Sequence, residues 1–211
     1  MTPNLASKSA NQSESQLNYS GQNFILNGVS WQKYEALLEI LGDDFPGLHL
    51  TYLEGTLELM SPSRKHEFTK KIIARLLEAY LEEARIRHYP LGSTTFRRQE
   101  KARGIEPDEC YCIGSNKEFP DLAIEVVVTS GGIDSLEVYR GLKVSEVWFW
   151  ENSQFSLYRL RGDLYEKITS SEVLPELDIN LLASYVNSAE PLDAVLEFRE
   201  RIRQQMQQKN E

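Results

Sequence analysis

The chain has 211 residues, of which 41% are hydrophobic and 26% charged, so it can bury a core and is not disordered throughout. Its net charge of −9 excludes a protein coated in basic surface for nucleic acid, but leaves room for a local basic face. The longest apolar runs fall short of the roughly 20 residues of a membrane span, and the polar N-terminus lacks a signal core. We therefore expect a cytoplasmic protein without a membrane partner.

Composition also predicts how the chain is divided. Residues 1–20 are rich in Ser, Asn and Gln, which is typical of a segment without a core. We predict a disordered polar tail over 1–22, one folded domain over 23–190 and a C-terminal helix within 191–211. The two cysteines, Cys110 and Cys112, stand two residues apart, too close for a structural disulfide to be expected.

Apolar periodicity and turn residues predict the elements in chain order. The first half is predicted to form a helix over 31–41, a hairpin of strands 49–53 and 56–60, and a long helix over 64–87. The second half is predicted to form strands 94–98, 105–113, 122–128 and 144–150, a helix over 133–142 before the last of them, a hairpin of 155–159 and 164–168, and helices over 176–186 and 191–208. This order predicts an α/β or α+β mixed sheet with one parallel crossover, 122–128 to 144–150.

Two acidic residues stand out within this pattern. Asp108 lies in the predicted strand 105–113, and Glu125 lies in the middle of the apolar run 122–128. Burying a carboxylate in such a run is costly unless it is paired or bound to a metal. If the two strands are neighbours, both carboxylates can bind one Mg²⁺ ion. The alternative is a single buried glutamate that pairs with an arginine or lies at a frayed sheet edge.

Several motifs in the same order resemble a known family. They are EPD at 106–108, PDLAIEV at 120–126 and YRGLKVSEVWFW at 139–150, preceded by YLEGTLELMSPS at 52–63 and by His66. Over residues 25–190 the chain resembles the Uma-type family. That family is restriction-endonuclease-like, of unknown function, abundant in cyanobacteria and part of the PD-(D/E)XK nuclease superfamily.

The resemblance implies a fold, a reaction and a set of site residues. The fold would be a restriction-endonuclease-like central mixed β-sheet flanked by helices, and the reaction Mg²⁺- or Mn²⁺-dependent hydrolysis of DNA phosphodiesters. Asp108 and Glu125 would hold the metal, and Glu67 would be the nearest third carboxylate, with Glu54 and Glu58 as alternatives. The further residues expected to line the site are His66, Asp121 and Ser135; His66 has the alternative role of a packing or capping residue.

The chain departs from the family because it lacks a lysine at the two usual positions. That lysine would polarise the phosphate or the attacking water. Val127 stands two residues after Glu125, and Ser135 stands four residues before Tyr139, where the lysine is otherwise found. Lys143, Arg140 and Lys70 are the candidate substitutes, and nothing in the sequence selects one. The rival interpretation is therefore an inactive nuclease-fold protein that binds nucleic acid or protein.

Basic residues concentrate in one segment. Arg97, Arg98, Lys101 and Arg103 crowd a predicted turn beside the Asp108 strand, where they would bind DNA phosphates or form a solvated loop. Lys70, Lys71 and Arg75 are interpreted as a solvated helix face, and His49 and His88 as structural or exposed. A homodimer would suit a nuclease that cuts two strands.

Overall fold

The computed structural model describes residues 21–41, 45, 47–128 and 132–209, which form eleven strands and five helices. In chain order these are β1 Gln22–Asn27, α1 Trp31–Leu41, β2 His49–Leu53, β3 Thr56–Ser61, α2 Arg64–Glu83, β4 His88–Pro90, β5 Phe96–Arg98, β6 Arg103–Ile105, β7 Glu109–Ile113, β8 Leu122–Val126, α3 Ser135–Leu142, β9 Glu146–Glu151, β10 Gln154–Arg161, β11 Leu164–Ile168, α4 Ile179–Val186 and α5 Pro191–Lys209. The predicted α/β class is confirmed. Within these residues, no helix is both long and apolar enough to cross a membrane.

The two ends of the chain bear on the predicted tail and C-terminal helix. Residues 1–20 and 210–211 lie outside the described residues, and α5 occupies Pro191–Lys209. Strand β1 begins at Gln22, inside the range predicted as tail. All six of its residues are exposed, so it has no alternation of buried and exposed positions from which it could have been predicted.

The strands form two sheets. A five-stranded antiparallel sheet has the order β1-β3-β2-β6-β5, and a six-stranded sheet has the order β11-β10-β9-β8-β7-β4. In the second sheet β8 and β9 are parallel, with Glu125 opposite Phe149, and the other neighbours are antiparallel. The mixed sheet and the β8–α3–β9 crossover are confirmed, whereas the separate five-stranded sheet was not predicted.

Side chains alternate along β8, as predicted from its sequence. Leu122, Ile124 and Val126 join the core beneath α2 and Trp148. Ala123 points to the opposite face and packs with Tyr139 of α3. Glu125 lies on that same face, because it hydrogen-bonds to Tyr139.

The predicted strand 105–113 is divided in the structure. β6 ends at Ile105, and β7 begins at Glu109 in the other sheet. Pro107, which has no N–H to donate to a ladder, lies between them. Asp108 therefore precedes a strand and does not lie within one. The pairing of Glu109 with Ile124 places Asp108 next to Glu125.

Helix α2 carries several site residues at its N-terminal end. The Ser63 side chain caps it by accepting a hydrogen bond from the backbone N–H of His66. Along the buried face lie His66, Thr69 and Lys70 as well as the apolar stripe. The interpretation of Lys70 as part of a solvated face was wrong, since only 5% of its surface is exposed.

Candidate functional site

A cavity of about 500 Å³ opens where the two sheets meet. Both sheets and both neighbouring helices contribute to its wall. The titratable and polar side chains that line it include His49, Glu58, His66, Glu106, Asp108, Glu125 and Ser135. The structure thus brings five of the residues considered for the site (Glu58, His66, Asp108, Glu125 and Ser135) into one cavity.

Asp108 is buried, and its two carboxylate oxygens have different surroundings. Oδ2 accepts a hydrogen bond of 2.7 Å from the backbone N–H of Val126 and lies 3.0 Å from Nε2 of His66. Oδ1 has no hydrogen-bond partner in the described part of the chain; Nδ1 of His49 lies 3.9 Å away. One oxygen is therefore anchored, and the other is available to a ligand.

Glu125 is held by its neighbour on α3. Its carboxylate accepts a short hydrogen bond from the hydroxyl group of Tyr139. Burial raises the pKa of Glu125 well above its ordinary value, and the negative charge of Asp108 raises it further. A cation bound beside Glu125 would favour its charged form.

His66 lies between two carboxylates. Its Nε2 faces Asp108, and its Nδ1 lies 3.3 Å from Oε1 of Glu67, whose other oxygen lies 2.9 Å from the ammonium group of Lys70. Burial opposes the charged imidazolium, but hydrogen bonds to Asp108 and Glu67 outweigh it and raise the pKa of His66. Glu67 itself does not line the cavity; it supports His66 from behind.

His49 and Glu106 also line the cavity. Their side chains lie 3.9 Å apart, with Nε2 of His49 facing Oε1 of Glu106. Burial lowers the pKa of His49. Burial also raises the pKa of Glu106 to about 7, against the opposing positive charge of Lys70. At neutral pH the cavity thus holds carboxyl groups that are only partly ionised.

Glu58, which lines the cavity, joins the five-stranded sheet to the segment before α3. Its carboxylate accepts hydrogen bonds from the side chain of Asn23 on β1 and from the backbone N–H of Ile133, which precedes α3. Gly132 has a φ of +135°, a conformation that favours glycine, and a Cβ atom there would lie 2.6 Å from a Glu58 oxygen. Glu58 therefore fixes the entry to α3 and, through it, Tyr139.

Besides Glu67, two predicted site residues, Glu54 and Asp121, lie outside the cavity wall. Glu54, in the β2–β3 turn, forms an ion pair of 2.8 Å with Arg103. Asp121 accepts a hydrogen bond of 2.7 Å from the backbone N–H of Ile113 and pairs with Lys117 at 2.6 Å. Both carboxylates are occupied by structural contacts.

The four basic residues predicted to contact DNA (Arg97, Arg98, Lys101 and Arg103) differ in how far they are buried. Arg103 is 7% exposed and donates hydrogen bonds to the carbonyl groups of Lys101 and Glu137, so it stabilises the fold and offers no free donor face. Arg98 is half-buried, with its guanidinium group 4.4 Å from the ring centre of Phe119. Arg97 and Lys101 are exposed and remain the candidates for phosphate contact.

The structure separates the three candidate substitutes for the missing lysine. Lys143 pairs with Asp163, and Arg140 pairs with Glu137; neither lines the cavity. Lys70 is buried directly behind Glu67. Of the three, only Lys70 lies next to the carboxylate cluster.

Three residues of the site were not predicted from the sequence. His49 was interpreted as structural or exposed because a single histidine at a strand end carries no motif. Glu106 and Tyr139 belong to the motifs already noted, but their roles depend on contacts between elements. For Glu106 the available signal was its place two residues before Asp108.

Within the described residues, no group of three or more His, Cys, Asp and Glu side chains has the geometry of a metal site. The arrangement offers two adjacent carboxylates, Asp108 and Glu125, and one unpartnered oxygen. Mg²⁺ is commonly held by one or two carboxylates, with water and phosphate oxygens completing the shell. The residues therefore fit a two-carboxylate Mg²⁺ site.

Comparison with known proteins gives one result at the level of the family. A search of curated proteins found no match. The sequence profile of the Uma2 family, described as "Putative restriction endonuclease", matches residues 31–186, a range that includes Asp108, Glu125, Tyr139 and every strand except β1. The chain belongs to the Uma2 restriction-endonuclease-like family.

Proposed function

We propose that the protein is a Mg²⁺-dependent endodeoxyribonuclease that hydrolyses DNA phosphodiester bonds, with Mn²⁺ as an alternative ion. The observation that carries the proposal is the free oxygen of Asp108, which is buried, without a hydrogen-bond partner in the described residues and next to Glu125. Family membership supports a nuclease-like activity.

In this proposal Asp108 and Glu125 hold the metal. A bound divalent ion supplies an activated water and stabilises negative charge on the phosphate. The backbone N–H of Val126 keeps Asp108 in place through its other oxygen, and Tyr139 keeps Glu125 facing Asp108. Both holding contacts come from rigid elements, which keeps the two ligands preorganised.

His66 is positioned to accept or donate a proton at the edge of the site, because its two imidazole nitrogens face two different carboxylates. Nε2 lies 3.0 Å from Asp108, while Glu67 supports Nδ1. Imidazole groups commonly transfer protons in enzymes, and the hydrogen bonds to Asp108 and Glu67 favour the protonated form of His66. We assign His66 as the candidate proton carrier, with Glu67 as the carboxylate that orients it.

A catalytically inactive, nucleic-acid- or protein-binding module is the second candidate. It is favoured by Val127 and Ser135, which occupy the two places where a lysine is expected. Loss of that cation removes one means of stabilising charge at the phosphate. The two candidates share the metal site and differ in turnover.

Calorimetric titration of Mg²⁺ and Mn²⁺ into the wild-type chain tests the metal site. We expect one site, with binding lost in Asp108→Asn and Glu125→Gln, because each variant removes a negative charge from the ion while keeping the shape of the side chain. Asp121→Asn is the matched control, since this carboxylate lies outside the cavity and its variant should bind as the wild type does.

Plasmid cleavage on the same samples then separates the two functions. Cleavage that requires the metal and both carboxylates supports the nuclease. Metal binding without cleavage supports the inactive module. A wild-type chain that binds neither ion would contradict the metal site and with it the nuclease.

A further inference from the structure

Lys70 keeps a positive charge where packing alone does not require one. It lies one helical turn after His66 on the buried face of α2, and 5% of its surface is exposed. Lysine is rarely buried, because removing an ammonium group from water costs free energy that an apolar side chain of similar size avoids. Its ion pair is with Glu67, 2.9 Å away, which is half-exposed and could be hydrated without it.

The charge of Lys70 reaches the walls of the cavity. Its ammonium group lies 2.9 Å from Glu67, whose other oxygen lies 3.3 Å from Nδ1 of His66, and Nε2 of His66 lies 3.0 Å from Asp108 in the cavity wall. Solvent screens the exposed Lys143–Asp163 and Arg140–Glu137 pairs, whereas a charge inside the protein acts over a longer range. Lys70 is therefore the cation positioned to influence the acidic cavity.

We propose that the positive charge of Lys70 determines how strongly the cavity binds cations and phosphates. It weakens the attraction of the carboxylates for a divalent ion and strengthens the attraction of the cavity for a DNA phosphate. This inference rests on the proposed function and names the residue that adapts that site to a phosphodiester. Lys70 does not line the cavity. It acts as a positioning residue, through its field and through Glu67, which it holds against His66.

The sign of each effect follows from the charges. In Lys70→Met one positive charge disappears, and the carboxylate of Glu67 is released from its ion pair. Both changes make the cavity more negative, so a cation binds more tightly and a phosphate less tightly. A purely structural lysine would instead weaken both interactions when it is removed, because the site would lose its shape.

The experiment compares three variants of the full chain in two assays: calorimetric binding of Mn²⁺, and fluorescence anisotropy of a double-stranded oligonucleotide in EDTA. For Lys70→Met we expect Mn²⁺ to bind about fivefold to tenfold more tightly and DNA to bind weaker by a similar factor. Lys70→Arg keeps the charge and should restore both affinities. Lys65→Met removes an exposed charge from the same helix and should change Mn²⁺ affinity by less than about twofold.

The outcomes separate this inference from the proposed function. Opposite shifts in Lys70→Met, with recovery in Lys70→Arg, support it. Unchanged or weaker Mn²⁺ binding in Lys70→Met, or an equal tightening in Lys65→Met, overturns the inference and leaves the metal site intact. No Mn²⁺ binding by the wild-type chain overturns the proposed function, and this inference with it.

Discussion

At the scale of single residues, the site is defined by which atoms lack a partner. Asp108 has one oxygen bound to a backbone N–H and one without a hydrogen bond in the described residues. Buried polar groups are nearly always hydrogen-bonded, so the unpartnered carboxylate oxygen beside a second carboxylate offers a position for a water molecule or a cation. This contrast distinguishes Asp108 from Asp121, whose oxygens are both in use.

Glu106 allows a prediction about pH and stability. Burial raises its pKa from 4.5 to about 7, so the folded protein binds this proton more tightly than the unfolded chain. The stabilisation is complete below pH 4.5 and is lost as the pH rises to about 7. Glu106→Gln has no carboxyl group to ionise at this position. As the pH rises from 4.5 to 8, its free energy of unfolding should therefore come to exceed that of the wild type by up to about 3 kcal/mol.

Urea unfolding of both proteins in EDTA at several pH values measures the difference. Glu118→Gln, at an exposed position, is the control and should follow the wild type at every pH. If Glu106→Gln also follows the wild type, the carboxyl group of Glu106 is not buried in an acidic setting in solution.

At the scale of elements, the sequence predicts those helices, strands and turns that are determined by residues close together in the chain. The β2–β3 and β10–β11 hairpins and the parallel β8–α3–β9 unit are confirmed, because turn residues and apolar periodicity determine them locally. Proximity of Asp108 to Glu125 was also predictable, since each belongs to a neighbouring segment with its own motif.

The elements that were missed depend on contacts distant in sequence. β4 and β6 have three residues each, too few for a period to be recognised, whereas β5 lies within the predicted strand 94–98. The burial of Lys70 depends on how α2 packs against the cavity wall, and periodicity alone assigns a lysine to the solvent side. The split at Pro107 sends β6 and β7 to different sheets, which no local pattern shows.

The N-terminus of α3 allows a prediction about activity. Ser135 is its first residue, and it lines the cavity beside Asp134 and Leu136. Ser135→Lys would place a cation where the family often has one, and we expect Mg²⁺-dependent plasmid cleavage to rise about tenfold or more. Ser135→Met, similar in length but uncharged, should not raise it. Unchanged cleavage in Ser135→Lys, with Mg²⁺ still bound, would show that this position is not where the lysine is missing.

At the scale of the whole molecule, two sets of contacts keep the cavity in shape. Glu58 joins the first sheet to the entry of α3. On the far side, α5 packs along α2, where Glu83 forms ion pairs with Arg199 and Arg203 at 2.9 and 2.8 Å. Helix α2 is thus clamped at its C-terminal end and contributes His66 and Lys70 at its other end.

Charge is distributed unevenly over the molecule, and this bears on DNA binding. Segment 64–103 holds eleven basic and five acidic residues in a chain of net charge −9. Burial removes Lys70 and Arg103 from the accessible set, and Lys71 pairs with Glu109. Arg97 and Lys101 are left on the exposed edge formed by β5 and the turn that follows it.

If this edge contacts DNA, affinity must fall with salt, because each neutralised phosphate releases a counterion. For Arg97→Ala combined with Lys101→Ala, we expect weaker binding and a slope of log affinity against log salt that is shallower by about 0.9 per lost contact. Fluorescence anisotropy with a duplex oligonucleotide between about 50 and 200 mM salt measures both quantities. Arg85→Ala combined with Arg87→Ala removes the same charge from exposed positions beyond the C-terminal end of α2 and should leave the slope unchanged. Equal slopes in both double variants would mean that the interaction follows net charge, and the β5 edge would then have no special part in it.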